Sequence, residues 1–233
     1  MDNVSIFKTY LYISKKKFTI CVVQINDLKV IYKKEFSFQS ESNELEFNKL
    51  REFLDDNILK LEKTLKNFIE NIIIVLDTSD FFSIYLSVKN NNRGNVLKFE
   101  NLSYSLKDAR YQCEKTIENN KLIHMIIENY QIDNKNYNFL PEKLNCNNFS
   151  LDIKFICLPL ALIKSFESSL EKYQISINQI ICADYVKKFF KDSTDFFEKV
   201  RQITEGCNPN EVKFYNKNSK NHGFFEKFFN FFR

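Results

Sequence analysis

The chain is poor in the residues that make phosphate-binding loops and sharp backbone turns. Of its 233 residues only three are glycine, three are proline and three are alanine, and there is no tryptophan. Cradling a phosphate requires glycine, for positive φ and for close approach of the backbone. With Gly94, Gly206 and Gly223 alone, no GxGxxG and no GxxxxGK[ST] loop can be written anywhere. A glycine-loop nucleotide hydrolase is therefore not expected. No apolar run approaches the roughly 18 residues needed to cross a bilayer. Met1–Tyr10 has no charged segment leading into an apolar one, so no secretion signal is read there and the chain is expected to stay in the cytoplasm.

Metal and thiol chemistry are equally thin. Cys21, Cys113, Cys146, Cys157, Cys182 and Cys207 are far apart, without a CxxC pair or a nearby histidine. Four of them lie in apolar runs, where cysteine behaves as a small hydrophobe, so buried reduced thiols are expected. His124 falls in a strand-like run and His222 in a polar stretch, neither with a spaced ligand or nucleophile. Asp77-Thr78-Ser79-Asp80 follows an apolar run, a place where α/β enzymes put carboxylates. With no glycine loop beside it, it reads as a turn. The net charge is +4 with acids interspersed, which gives no basic stripe and no expectation of nucleic-acid binding.

Lys, Asn, Ile and Phe are plentiful, and hydrophobic residues make up 44% of the chain against 27% charged, a globular balance. Phe7–Ile13, Phe18–Ile25 and Leu28–Phe38 predict an antiparallel meander. Phe47, Leu50, Leu54, Ile58, Leu61, Leu65 and Phe68 mark one helical face, and Ile72–Leu76 a buried strand. Asn90–Asn95 is a turn cluster and the first boundary. Ser105 and Asp108 have the spacing of a capping box, opening a helix along Leu106, Ala109, Cys113 and Ile117 to about Asn119. A strand over Lys121–Ile132, a polar stretch from Asp133 to Ser150, a strand over Leu151–Leu158, a helix over Leu160–Tyr173 and a strand over Ile175–Ala183 follow. Ser193–Thr204 predicts a short helix with Phe196, Val200 and Ile203 on one side, and Asn216–His222 a polar tether.

The last eleven residues, GFFEKFFNFFR, carry the sharpest pattern. At 100° per residue Phe224, Phe225, Phe228, Phe229, Phe231 and Phe232 fall within an arc of about 160°, while Glu226, Lys227, Asn230 and Arg233 fill the rest. This is the segregation of a helix lying in a membrane interface. So short a peptide is not helical alone in water, and burial of its rings in a lipid surface would drive its folding. Lys213, Lys217, Lys220, Lys227 and Arg233 add attraction to anionic lipid. The competing occupants are the groove of a partner protein and the body of the chain itself.

Residues 106–190 resemble the bacterial cell-division protein family FtsA. SLKDARYQCEKTIENNKLIHMIIENYQIDN is similar to that family's helix leading into its "hvIPqeYiiD" strand, with Ile123, His124, Ile127, Tyr130, Ile132 and Asp133 on matching positions. LDIKFICLPLALIKSFESSLEKYQISINQIICADY resembles the strand, helix and strand that follow in its SHS2-type 1C subdomain. The resemblance implies an α/β (α+β) fold divided into a partial actin-like 1A-type layer (1–100), an SHS2/1C-like interaction subdomain (101–190), a short helix and polar tether (191–222) and an amphipathic membrane-targeting helix (223–233).

Where the family carries its first phosphate loop, this chain has Tyr12-Ile13-Ser14-Lys15-Lys16-Lys17, without Asp or Gly, and the rest of 1A and the second lobe have no counterpart. ATP binding is accordingly not expected, and no cofactor is. What the resemblance leaves is a non-enzymatic adaptor of cell division, peripheral on the cytoplasmic face of the inner membrane. Its partners would be divisome proteins or further copies of itself. FtsZ stays possible although its usual binding subdomain is missing. A PilM-like pilus-assembly scaffold and a soluble interaction module are the alternatives.

Overall fold

The computed structural model describes residues 7–39, 44–97, 99–141, 144–190 and 195–214. The fold is mixed α/β, with one five-stranded and one four-stranded sheet, and the chain divides into two units. The first comprises the chain up to Phe81 and Pro159–Val200; the second comprises Phe82–Leu158 and the chain from Arg201 onward. Phe82–Leu158 of unit 2 is thus inserted in the sequence of unit 1, and the remainder of unit 2 follows it.

Unit 1 opens with β1 (Phe7–Ser14), β2 (Lys17–Gln24) and β3 (Val30–Ser37), the antiparallel meander expected. Then come α1 (Phe47–Leu65) and β4 (Asn71–Asp77), which pairs parallel to β1. Ile72 to Leu76 are all buried, as a strand covered on both faces requires. Leu50, Phe53, Leu54, Ile58 and Leu61 form the buried stripe of α1. Phe68, counted on that stripe from its spacing, lies beyond the helix and is 77% exposed. Lys66 takes a left-handed conformation at the C-cap, and the N–H of Asn67 bonds Glu62 O, so the periodicity outlasts the helix by one turn.

Unit 2 begins with β5 (Phe82–Asn91), followed by α2 (Phe99–Thr116), β6 (Asn120–Ile132), the short β7 (Lys135–Tyr137) and β8 (Asn148–Pro159). The sheet order is β5-β8-β6-β7. Leu102, Leu106, Ala109 and Cys113 of α2 belong to one apolar cluster with Met125, Ile127, Leu151, Ile153 and Phe155 of the strands. Two elements differ from expectation. β5 was not read as a strand, because its alternation is half exposed and its last residues are asparagines. α2 starts at Phe99, so Ser105 is no cap: it is buried within the helix and accepts a hydrogen bond from the Asn90 side-chain amide at 3.0 Å. The β6–β7 turn is made by Asp133 and Asn134, both at positive φ, in the stretch read as simply polar.

The chain then returns to unit 1 with α3 (Leu160–Glu171), β9 (Ser176–Cys182) and α4 (Ala183–Phe189), and α5 (Phe196–Thr204) follows. β9 pairs parallel to β4, completing the order β3-β2-β1-β4-β9. This corrects the sequence reading, which gave α3 and β9 to an interaction subdomain running to residue 190 and left the first layer without a closing strand. An apolar β4 needs a hydrogen-bonded neighbour on each side, and Ile180, Ile181 and Cys182, buried beside it, supply the second. Phe166 of α3 meets Phe47 of α1 with ring centroids 5.2 Å apart. On β1, Tyr10 and Tyr12 meet Phe197 and Phe196 of α5 at 6.1 and 5.6 Å. α5 is the short helix expected, but Phe197, not Phe196, is buried with Val200 and Ile203.

Leu54 is fully buried at the centre of the α1 stripe. We expect Leu54→Ala to cost about 2–5 kcal/mol in urea unfolding, the range for emptying a packed core position. A loss below about 1 kcal/mol would mean that α1 does not seal the sheet.

Candidate functional site

In sheets with parallel strands, ligands and reactive groups collect where the strands end at their carboxyl termini. In unit 1 these ends are brought together by register: Ser14 of β1 stands opposite Asp77 of β4, and Leu76 of β4 opposite Cys182 of β9. The Lys15–Lys16 turn, the Thr78–Asp80 turn and α4 all start from this edge. Tyr12 Oη donates to Asp77 Oδ2 at 2.5 Å, and Lys187 Nζ of α4 donates to the same oxygen at 2.7 Å. Lys15 Nζ reaches Ser79 Oγ at 3.2 Å, and Thr78 Oγ1 donates to Asp80. The stretch Asp77–Asp80 is a turn, as its sequence suggested, but its first carboxylate is a junction of three elements.

The electrostatics follow from that junction. Burial works to raise the Asp77 carboxyl, but the hydrogen bonds from Lys187 and Tyr12 outweigh it and hold the group below the usual carboxylate range. Burial, and then the Asp77 carboxylate, push the Tyr12 phenol far above its ordinary value. Tyr12 is thus a fixed donor and Asp77 a fixed anion. Both donors converge on Oδ2, so one oxygen of Asp77 is shared by a tyrosine and a lysine of the chain. Tyr12 and Lys187 were not singled out from the sequence. Their one signal would have been the parallel register of β1, β4 and β9, which no single segment carries.

A second arrangement lies in unit 2, around the end of the described chain. Residues 208–212 run alongside β6 as a strap. The N–H of Ile127 donates to Asn210 O at 2.9 Å and the N–H of Val212 to Met125 O at 2.8 Å, with an isolated bridge between Ile126 and Glu211. Under the strap, His124 Nδ1 lies 2.8 Å from Glu211 Oε1, both side chains essentially buried. Tyr130 Oη donates to Asn210 Oδ1, and the Asn210 amide donates to Asn138 O. The Arg110 guanidinium stands over the Phe214 ring at 5.1 Å. His124 is thus paired within the chain, and its partner, 87 residues away, could not be read from the sequence.

An open polar cleft of about 350 Å³ lies at the β5–β8 end of unit 2, lined by Lys89, Asn90, Gln131, Asp133, Asn134 and Ser150 among others. Asp133 is occupied with the N–H groups of Asn147 and Asn148. Among the described residues no cluster of three or more His, Cys, Asp or Glu side chains could hold a metal ion, and no helix is long and apolar enough to cross a membrane. Five cysteines are buried and Cys207 is exposed. Burial pushes the Cys21 thiol up to about 11 and that of Cys157 up to about 12, so both are neutral, weak nucleophiles. The residues expected to bind a membrane, Phe224, Phe225, Lys227, Phe228, Phe229, Phe231, Phe232 and Arg233, lie outside the described residues, as does the tether before them.

Two variants test these junctions. A carboxyl held low in the folded state stabilises above the ordinary carboxylate range and loses that contribution as pH falls through its folded value. Asp77→Asn should therefore cost about 1–2 kcal/mol at pH 7, with the gap to the unaltered chain closing as unfolding is measured toward pH 2. A gap independent of pH would show that the Asp77 charge contributes nothing. Glu211→Ala should free the strap, speeding hydrogen exchange at the Val212 and Ile127 amides by at least about tenfold, since the buried His124 loses its acceptor. Unchanged exchange would mean the backbone bonds hold the strap without the pair.

Neither a family model nor a curated protein matches the sequence. Among solved structures the chain is similar to the PilM–PilN type IV pilus biogenesis complex, at 9% identity and a TM-score of 0.46, over 78% of this chain and 49% of that one. It is also similar to the cytoplasmic domain of EpsL, an inner-membrane component of the type II secretion system of Vibrio cholerae, at 11% identity and 0.38, over 77% and 59%. A third likeness is to a Bacteroides thetaiotaomicron protein of actin-like ATPase fold and unknown function, at 10% identity and 0.35, over 81% and 58%. The chain thus spans about half to three-fifths of the length of these neighbours. At such identities and TM-scores they are likenesses of topology, and the functional reading rests on the chain's own residues.

Proposed function

We propose that this protein is a non-enzymatic adaptor that works at the inner face of a membrane, an FtsA-like scaffold of bacterial cell division that carries two α/β units and a lipid-binding helix. One observation carries the proposal: all six phenylalanines of Gly223–Arg233 fall on one side of a helical projection and every polar residue on the other. The strap of residues 208–212 supports it. It fixes the place on unit 2 from which the terminal segment departs, so an anchor there would hold unit 2 within a tether's length of the lipid. The non-enzymatic part rests on the sequence, which has no glycine loop for a phosphate. The division role comes from the resemblance of residues 106–190 to the FtsA family. It is the finer part of the reading, with a pilus-assembly scaffold as its rival.

The adaptor reading is tested by co-sedimentation of the purified full chain with anionic phospholipid vesicles, no other protein being present. Deleting Phe224–Arg233 should abolish vesicle binding, and Phe228→Glu, which puts a charge at the centre of the apolar arc, should weaken it by about tenfold or more. Binding unchanged by either alteration would remove the anchor. No vesicle binding by the intact chain would move the helix to a protein groove instead. Imaging the tagged chain in dividing cells separates the finer readings: a band at mid-cell supports the division role, and uniform membrane staining overturns it.

A further inference from the structure

The edges of the two sheets are defended unequally. β3 carries Lys33, Lys34 and Glu35, β7 is three residues long, and the last three residues of β9 are buried. Charge, brevity and cover are the devices that keep edges from pairing with other chains. β5 has none of them. It is ten residues long, contains no proline, and is uncharged from Phe82 to Val88. Among the described residues it pairs only with β8, and no residue of it is buried.

Its sequence says what it would pair with. Phe82-Ser83-Ile84-Tyr85-Leu86-Ser87-Val88 reads nearly the same in both directions by chemical class. An antiparallel pairing centred on Tyr85 sets Ile84 opposite Leu86, Ser83 opposite Ser87, Phe82 opposite Val88 and Tyr85 opposite itself. The two faces agree as well. Ile84, Leu86 and Val88 pack against the apolar cluster under α2, whereas Ser87 bonds Ser150 and Asp152 on the other face, where Lys154 stands over the Tyr85 ring. In the self-paired register apolar residues meet apolar ones on the α2 side, and serines meet serines on the polar side. No like charges fall opposite each other. A segment complementary to itself under a two-fold rotation is what an isologous dimer requires.

We propose that β5 is a dimerisation edge, which pairs antiparallel with β5 of a second copy about a two-fold axis at Tyr85 and joins the two four-stranded sheets into one.

The test uses the full chain. Sedimentation velocity over a concentration series should show a reversible monomer–dimer equilibrium. Tyr85→Lys sets two ammonium groups opposite each other on an exposed position, so dimerisation should weaken by at least about tenfold while the fold, followed by circular dichroism, is kept. The register is read by crosslinking in a Cys207→Ser background, which removes the one exposed native thiol. Tyr85→Cys, with Cβ atoms roughly 4.5–5.5 Å apart across the axis, should be joined efficiently by a short thiol–thiol reagent. Ser87→Cys alone should not be, since four residues of strand rise place it roughly 14 Å from its counterpart. A mixture of Ser83→Cys and Ser87→Cys chains should crosslink as a heterodimer. A chain that stays monomeric overturns the proposal and leaves the edge to a strand from another protein. A dimer indifferent to Tyr85→Lys and uncrosslinked through Tyr85→Cys overturns it too.

Discussion

β4 is the constraint on which unit 1 depends. Its run of five buried aliphatic residues is covered on both faces and hydrogen-bonded on both sides, to β1 and to β9, in parallel. Parallel neighbours cannot be joined by a tight turn, so a long connection must precede each return to the sheet. The first, from β1 to β4, holds β2, β3 and α1, and the second, from β4 to β9, holds Phe82–Leu158 of unit 2 and α3. The same parallel register aligns Ser14, Asp77 and Cys182 at one edge and allows Tyr12 and Lys187 to converge on a single carboxylate oxygen.

That convergence bears on function. A carboxylate at the end of a buried strand is a common place for chemistry, and its value to a ligand depends on what else competes for it. Here the competition is internal and close. A phenol and an ammonium group of the chain hold Asp77 ionised and oriented, which makes its Oδ2 a joint between β1, β4 and α4. The strap over β6 is a joint of another kind. Backbone hydrogen bonds and a buried His124–Glu211 pair hold residues 208–212 against a strand laid down some 80 residues earlier. Whatever follows Phe214 therefore leaves from a defined place on unit 2, a condition for a tether to position a domain and not merely to retain it.

Much of the element content was legible in advance. The meander, α1, β4, β6, β8, α3, β9 and α5 all follow from apolar periodicity, because each buries a stripe or a face wide enough to leave its mark. The elements that escaped are those whose pattern is diluted. β5 alternates apolar residues with exposed serines and ends in asparagines, β7 has three residues, and α4 is short and rich in lysine. Ser105 is instructive: its spacing to Asp108 matched a cap, yet the helix begins six residues earlier and the hydroxyl serves Asn90 instead.

The sequence by itself determined most of the local elements, the lack of glycine loops, the scattering of the thiols and the two-sided pattern of Gly223–Arg233 in a helical projection, since each depends on residues near one another in the chain. Only the tertiary structure decided that β9 belongs beside β4, that Asp77 is shared by Tyr12 and Lys187, that His124 answers Glu211, and that β5, among the described residues, pairs on one side alone. These are pairings across tens of residues. Their partners are selected by strand order and register, which are fixed when buried backbone groups must all find hydrogen bonds at once, and no local pattern records that choice.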